Sequence, residues 1–183
     1  MRQNMTIQDK TKNALERVVN QAVSNGETAK AYLCRLQLPK QFSSDIKESN
    51  DIYKKIISDF GKNVMRKTGE TPRYITVKIE NESNPEYSFC LFTRYDASLD
   101  KPEEYAEKGR EIANGKVGQA GWGIGELDVM ELVRDAPRFV ISSKPVTINA
   151  ENKESIISEL REHLKDKCNT EHYQKTIFVS RCH

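Results

Sequence analysis

The sequence predicts an α+β protein whose small antiparallel sheet carries its helices on one face, in a ferredoxin-like (βαββαβ) order preceded by an N-terminal helix. Three observations point there. AKAYLCRLQL alternates in side-chain character, RYITVKIE and EYSFCLF flank a turn rich in Asn, Ser and Pro, and apolar stripes at helical spacing separate the strand-like runs. The length of 183 residues fits one domain, with residues 1–26 as the N-terminal helix and 28–183 as the α+β core.

Leu15, Val18, Val19, Ala22 and Val23 repeat at helical spacing, and Asn25-Gly26 ends the pattern. The first strand then places Tyr32, Cys34, Leu36 and Leu38 on one face and Ala31, Leu33, Arg35 and Gln37 on the other, up to Pro39. Tyr53, Ile56, Ile57, Phe60 and Val64 form the stripe of a second helix, which Thr68-Gly69 closes. The hairpin strands are expected at 73–80 and 86–94. Pro102 opens a further helix with Tyr105, Ala106, Gly109, Ile112 and Ala113 on one side, and the glycines at 115, 118, 121, 123 and 125 are expected to end its regularity. A short helix over Glu126 to Arg134, a strand at FVIS, a helix through Ile156, Ile157, Leu160 and Leu164, and a strand at TIFVS complete the series. The predicted βαββαβ order sets the first helix and the Gly-rich segment aside.

No run of residues is long and apolar enough for a membrane span, and the polar start MRQNMTIQDK lacks the apolar centre of a signal peptide, so a cytoplasmic protein without membrane contact is expected. Four cysteines, Cys34, Cys90, Cys168 and Cys182, are too sparse for a disulfide scaffold and are expected as thiols. The net charge of +2 does not demand a polyanionic partner, but it allows a local basic face. Lys54, Lys55, Lys62, Arg66, Lys67 and Arg73 make the most basic stretch, with Tyr74 directly beyond it. Lysines and arginines can follow a phosphate backbone while an exposed aromatic stacks on a base; Glu48, Asp51 and Asp59 interleave, as on an ordinary solvated helix face.

Several segments taken in order, AYLCRLQLP, RYITVKIE, EYSFCLF, Trp122 and KTIFVSRCH, resemble the YagK/YfjJ C-terminal domain family, which is related to the HUH-type replication initiators of filamentous phages and plasmids. The resemblance implies a DNA-directed protein of a mobile element. In such initiators two histidines hold a divalent metal and a tyrosine attacks the DNA phosphorus. Here Glu86 and Ser88 stand where those histidines would be, and the late helix ELREHLKDK carries His163 and no tyrosine. A nucleic-acid-binding accessory or regulatory protein without cleavage chemistry is therefore expected, with single-stranded or hairpin DNA as its partner and no cofactor. Two alternatives remain from the sequence. One is a protein-interaction module, such as a phage-encoded inhibitor or toxin-like component acting on a host protein. The other is a residual metal-dependent nuclease in which Glu80 and Glu86 bind the metal and Tyr173 attacks.

Two further constellations carry less. Cys168, His172, Cys182 and His183 are zinc-ligand types, but adjacent residues of a strand point to opposite faces and cannot readily share one ion. GKVGQAGWGIG is glycine-rich but lacks the Lys-Ser/Thr ending of a P-loop, which favours a loop packed around Trp122.

Overall fold

The computed structural model describes residues 7–44, 46–79, 84–94, 99, 101–119, 136–165 and 177–179. Its described helices are α1 (Ile7–Ala22), α2 (Ile46–Thr68), α3 (Pro102–Gln119) and α4 (Lys153–Lys165). The strands are β1 (Ala29–Gln37), β2 (Arg73–Ile79), β3 (Glu86–Arg94), β4 (Arg138–Ile141), β5 (Val146–Ile148) and β6 (Ile177–Val179). They form one antiparallel sheet in the order β4-β1-β3-β2-β6, with β5 also paired to β1.

β3 lies between β1 and β2, pairing Ala29–Gln37 on one side and Arg73–Ile79 on the other. The remaining edge of β1 is shared: β4 covers Cys34 to Gln37 and β5 covers Ala29 to Ala31. Ser142 bridges the gap between them, its amide donating to the Leu33 carbonyl at 2.9 Å and its hydroxyl accepting from the Leu33 amide at 3.0 Å. Both sides of β1 are thereby paired, as its buried backbone requires.

Alternation along the strands divides the interior into two cores. Tyr32, Cys34, Leu36, Tyr87, Phe89, Leu91, Phe139 and Ile141 face α2 and α3. Ala29, Ala31, Ile75, Val77, Cys90, Phe92 and Ile148 face α1 and α4. The expectation of helices on one face is therefore corrected: this sheet is covered on both. The cause is visible in β3, where every residue from Tyr87 to Thr93 is buried, so neither face can be left to water.

A second correction concerns α3, the helix that follows the hairpin. From β1 to β4 the chain runs strand, helix, strand, strand, helix, strand, with α3 and β4 as the last two. α3 continues through Gly115 and Gly118 instead of stopping there. Both glycines lie on its exposed side, and the helix is held from the other side by Tyr105, Ala106, Ala113 and Val117. Packing there outweighs the roughly 1 kcal/mol that each interior glycine costs. Gly109 has a different role. A Cβ at this position would stand 2.5 Å from the Phe139 ring, so the absent side chain lets β4 pack directly on α3. At the end of α2, Gly69 takes φ +81 and its amide donates to the Met65 carbonyl at 2.8 Å, the left-handed ending expected of Thr68-Gly69. β5 is too short to show any alternation and is absent from the sequence-based series. The segment over Glu126 to Arg134 lies outside the described residues.

Among the described residues no helix is long and apolar enough to cross a membrane.

Candidate nucleic-acid interface

α2 fastens to the sheet through Tyr53, Ile56, Ile57, Phe60 and Val64, as their spacing predicts. On its outer side Lys55, Lys62 and Arg66, seven and then four residues apart, fall in one exposed row. None of the three makes an ion pair among the described residues. Asp59, which interleaves with them in sequence, is drawn sideways to Lys116 of α3 at 2.9 Å. Asp51 remains exposed one turn before Lys55. Lys54 is exposed to one side of the row, and Lys67 turns toward α3, its ammonium 5.1 Å from the centre of the Tyr105 ring.

Arg73 and Tyr74 do not extend this row. As neighbours on β2 they point to opposite faces. Tyr74 is half-buried against the aromatic core, and burial raises its phenol above the usual value, so its ring is packing and not an exposed stacking platform. Arg73 goes to the α1 side, where its Nη1 donates to Gln21 Oε1 at 2.9 Å. The structure thus separates the predicted basic stretch into a row on α2 and an arginine in a groove against α1.

The strand that resembles the histidine-bearing one turns Ser88 toward a covered face. Ser88 shares its face with Cys90 and Phe92 as the alternation predicts, but that face is not open. Ser88 is fully buried, and its hydroxyl has no hydrogen-bond partner among the described residues. Lys78 lies across from Tyr87, its ammonium 5.6 Å from that ring, on the sheet face opposite Ser88. Glu86 Oε1 accepts from Arg35 Nη1 at 3.4 Å in a partly buried ion pair. On α4, His163 Nε2 lies 3.3 Å from the Cys34 carbonyl, to which its N–H donates.

Among the described residues this donor set does not suit a divalent metal: Glu86 already faces a guanidinium, the Ser88 hydroxyl is buried, and no group of three His, Cys, Asp or Glu side chains converges. Glu80, Tyr173, the zinc-type residues Cys168, His172, Cys182 and His183, and the Gly-rich loop with Trp122 lie outside the described residues. Cys34 and Cys90 are free and buried on opposite faces of the sheet, and burial pushes both thiols up, toward the unreactive protonated form.

A buried polar network joins α2 to the sheet. The Tyr87 hydroxyl donates to Asn50 Oδ1 at 2.8 Å and accepts from the Ser49 hydroxyl at 2.6 Å, while Tyr53 hydrogen-bonds Thr76. The two tyrosine rings stack with centroids 4.2 Å apart. Every member is buried, so the network orients α2, and hence the Lys55, Lys62 and Arg66 row, without meeting solvent.

Sequence reasoning passed over the polar stripe of α1, in which Asn13, Glu16, Arg17, Asn20 and Gln21 recur at spacings of three and four beside the apolar one. The signal was present as ordinary amphipathicity. Only the packing of α1 against β2 turns that stripe into the wall of a groove.

No family model matches this chain, and no curated protein or solved structure matches it.

Proposed function

We propose that this chain is a nucleic-acid-binding accessory or regulatory protein of a mobile element, acting on single-stranded or hairpin DNA without cleaving it. The observation that carries the proposal is the row of Lys55, Lys62 and Arg66, exposed, aligned and without ion-pair partners among the described residues. Cations so arranged follow a phosphate backbone by releasing its counterions. The order β1-α2-β2-β3-α3-β4, with β3 between β1 and β2, supports a ferredoxin-like core of the kind that serves both RNA-binding modules and replication proteins. The Arg35–Glu86 ion pair supports a non-cleaving descendant, because a carboxylate already neutralised is a poor metal ligand.

Fluorescence anisotropy with labelled single-stranded and hairpin DNA, over about 50 to 200 mM salt, tests this. The affinity should fall steeply with salt. Replacing Lys55, Lys62 and Arg66 together by Gln should reduce the log-log salt slope by about 2 for single strands. Absence of salt-sensitive binding at low ionic strength, or a triple variant that binds like the parent, overturns the proposal. A complex with a host protein that survives nuclease and salt would direct attention to a protein partner instead.

A further inference from the structure

The groove between α1 and the start of β2 has a volume of about 550 Å³ and is lined by Asn13, Arg17, Asn20, Gln21, Ser24 and Arg73. That size falls within the roughly 300–1,000 Å³ of small-ligand sites. Its charge balance is uneven. Arg17 makes no ion pair among the described residues, and Arg73 is held by the neutral carboxamide of Gln21 at 2.9 Å, which fixes the guanidinium without cancelling its charge. Glu16, the carboxylate that also lines the groove, is paired with Lys12 at 3.9 Å. Lys153 adds a further cation at the rim, its ammonium donating to Asn20 Oδ1 at 3.2 Å. Guanidinium pairs suit phosphate oxygens, and carboxamides offer the paired donors and acceptors that suit heterocyclic edges.

A second, smaller pocket of about 70 Å³ adjoins through Gln21 and Arg73. In it Arg94 is paired with Glu70 at 2.5 Å, so its charge is already met.

We propose that this groove binds a small phosphate ester of nucleotide size, with Arg17 and Arg73 on the phosphate and the carboxamides of Asn13 and Asn20 on the remainder. The site is separate from the α2 row and stands or falls independently of it.

Calorimetric titration of the full chain with each of the four nucleoside monophosphates, with inorganic phosphate and with the unphosphorylated nucleosides is the test. At least one monophosphate should bind, and about tenfold or more tightly than its nucleoside. Arg17→Gln, at an exposed helix position, should weaken that binding about tenfold without altering the circular dichroism, and Arg73→Gln should weaken it at least as much. The Lys55, Lys62 and Arg66 triple variant should bind the monophosphate like the parent, which separates this site from the proposed DNA contact. Absence of binding by every phosphate probe, equal affinity for monophosphate and nucleoside, or indifference to Arg17→Gln overturns the inference.

Discussion

Toward α2 and α3 the sheet presents Tyr32, Tyr87, Phe89 and Phe139, whereas toward α1 and α4 it presents Ala29, Ala31, Val77, Cys90 and Ile148. The first face is filled by large rings in defined contact, with Phe139 4.8 Å from Phe60 and 5.7 Å from Phe89 between ring centres. Its buried hydroxyls at Tyr53, Thr76, Ser49 and Tyr87 are paired with one another or with Asn50. The second face is filled, apart from Phe92, by small and aliphatic groups, and each face leaves one β3 hydroxyl without a partner among the described residues, Thr93 on the first and Ser88 on the second. Rings and paired hydroxyls specify one arrangement, while aliphatic packing tolerates several. The aromatic face is thus the one that fixes the direction of α2 and its basic row.

The contrast predicts its own ways of being broken. Phe139→Ala should cost most, about 3–5 kcal/mol by chemical denaturation, because it empties the space between Phe60, Phe89 and α3. A loss below about 1 kcal/mol would mean that the aromatic face is not the rigid one. Tyr87→Phe should cost about 1–3 kcal/mol, since Ser49 and Asn50 lose their shared partner. The same network has a pH signature. Burial raises the Tyr53 and Tyr87 phenols above the usual 10.0, so the folded state holds these protons more tightly than the unfolded chain. Their contribution is therefore complete below pH 10.0 and is lost as pH rises beyond it, with the buried Cys34 and Cys90 thiols beginning the decline above 9.0. Melting temperatures from about pH 8 to pH 11 should fall toward the alkaline end, and less steeply in Tyr87→Phe.

Two smaller effects sharpen the comparison. Gly109→Ala gains up to about 1 kcal/mol of helix propensity but drives a methyl into the Phe139 ring, and a net loss of about 1 kcal/mol is expected in a thermal melt. Ser88→Ala should move the other way. Removing a buried, unpaired hydroxyl should stabilise the fold by about 1 kcal/mol in urea titration. A destabilised Ser88→Ala would show that this hydroxyl is engaged and that the second face is more specified than its packing suggests.

Much of the architecture was legible where the residues speak locally. The alternation of Tyr32, Cys34, Leu36 and Leu38, the stripe from Tyr53 to Val64 and the hairpin strands β2 and β3 each follow from a period that burial enforces. The covering of both faces was also written in EYSFCLF, which offers no charged residue after Glu86 to face water. The continuation of α3 past Gly115 was harder to read. The buried side of α3 joins Tyr105 and Val117 to the small Ala106, Gly109 and Ala113, with Gly109 directly beneath Phe139, and so carries a weak hydrophobic signal. For the basic stretch, chain proximity suggested one surface, but the two-residue period of β2 sends Arg73 and Tyr74 apart. The Arg35–Glu86 pair and the α1 groove join residues distant in sequence, and no local pattern contains them.

The shared edge of β1 has a consequence for how the chain is made. Leu33 and Ser142, which close that edge, lie 109 positions apart. β1 therefore emerges from the ribosome early but has no complete set of neighbours until β3, then β4 and β5, have followed. Such distant pairing slows folding, because the long loop must close before its contacts repay the lost entropy. During that interval an alternating apolar strand with open edges is available to other chains. Synthesis of this protein thus contains a vulnerable window that ends only when Ile148 is free to pair with Ala29.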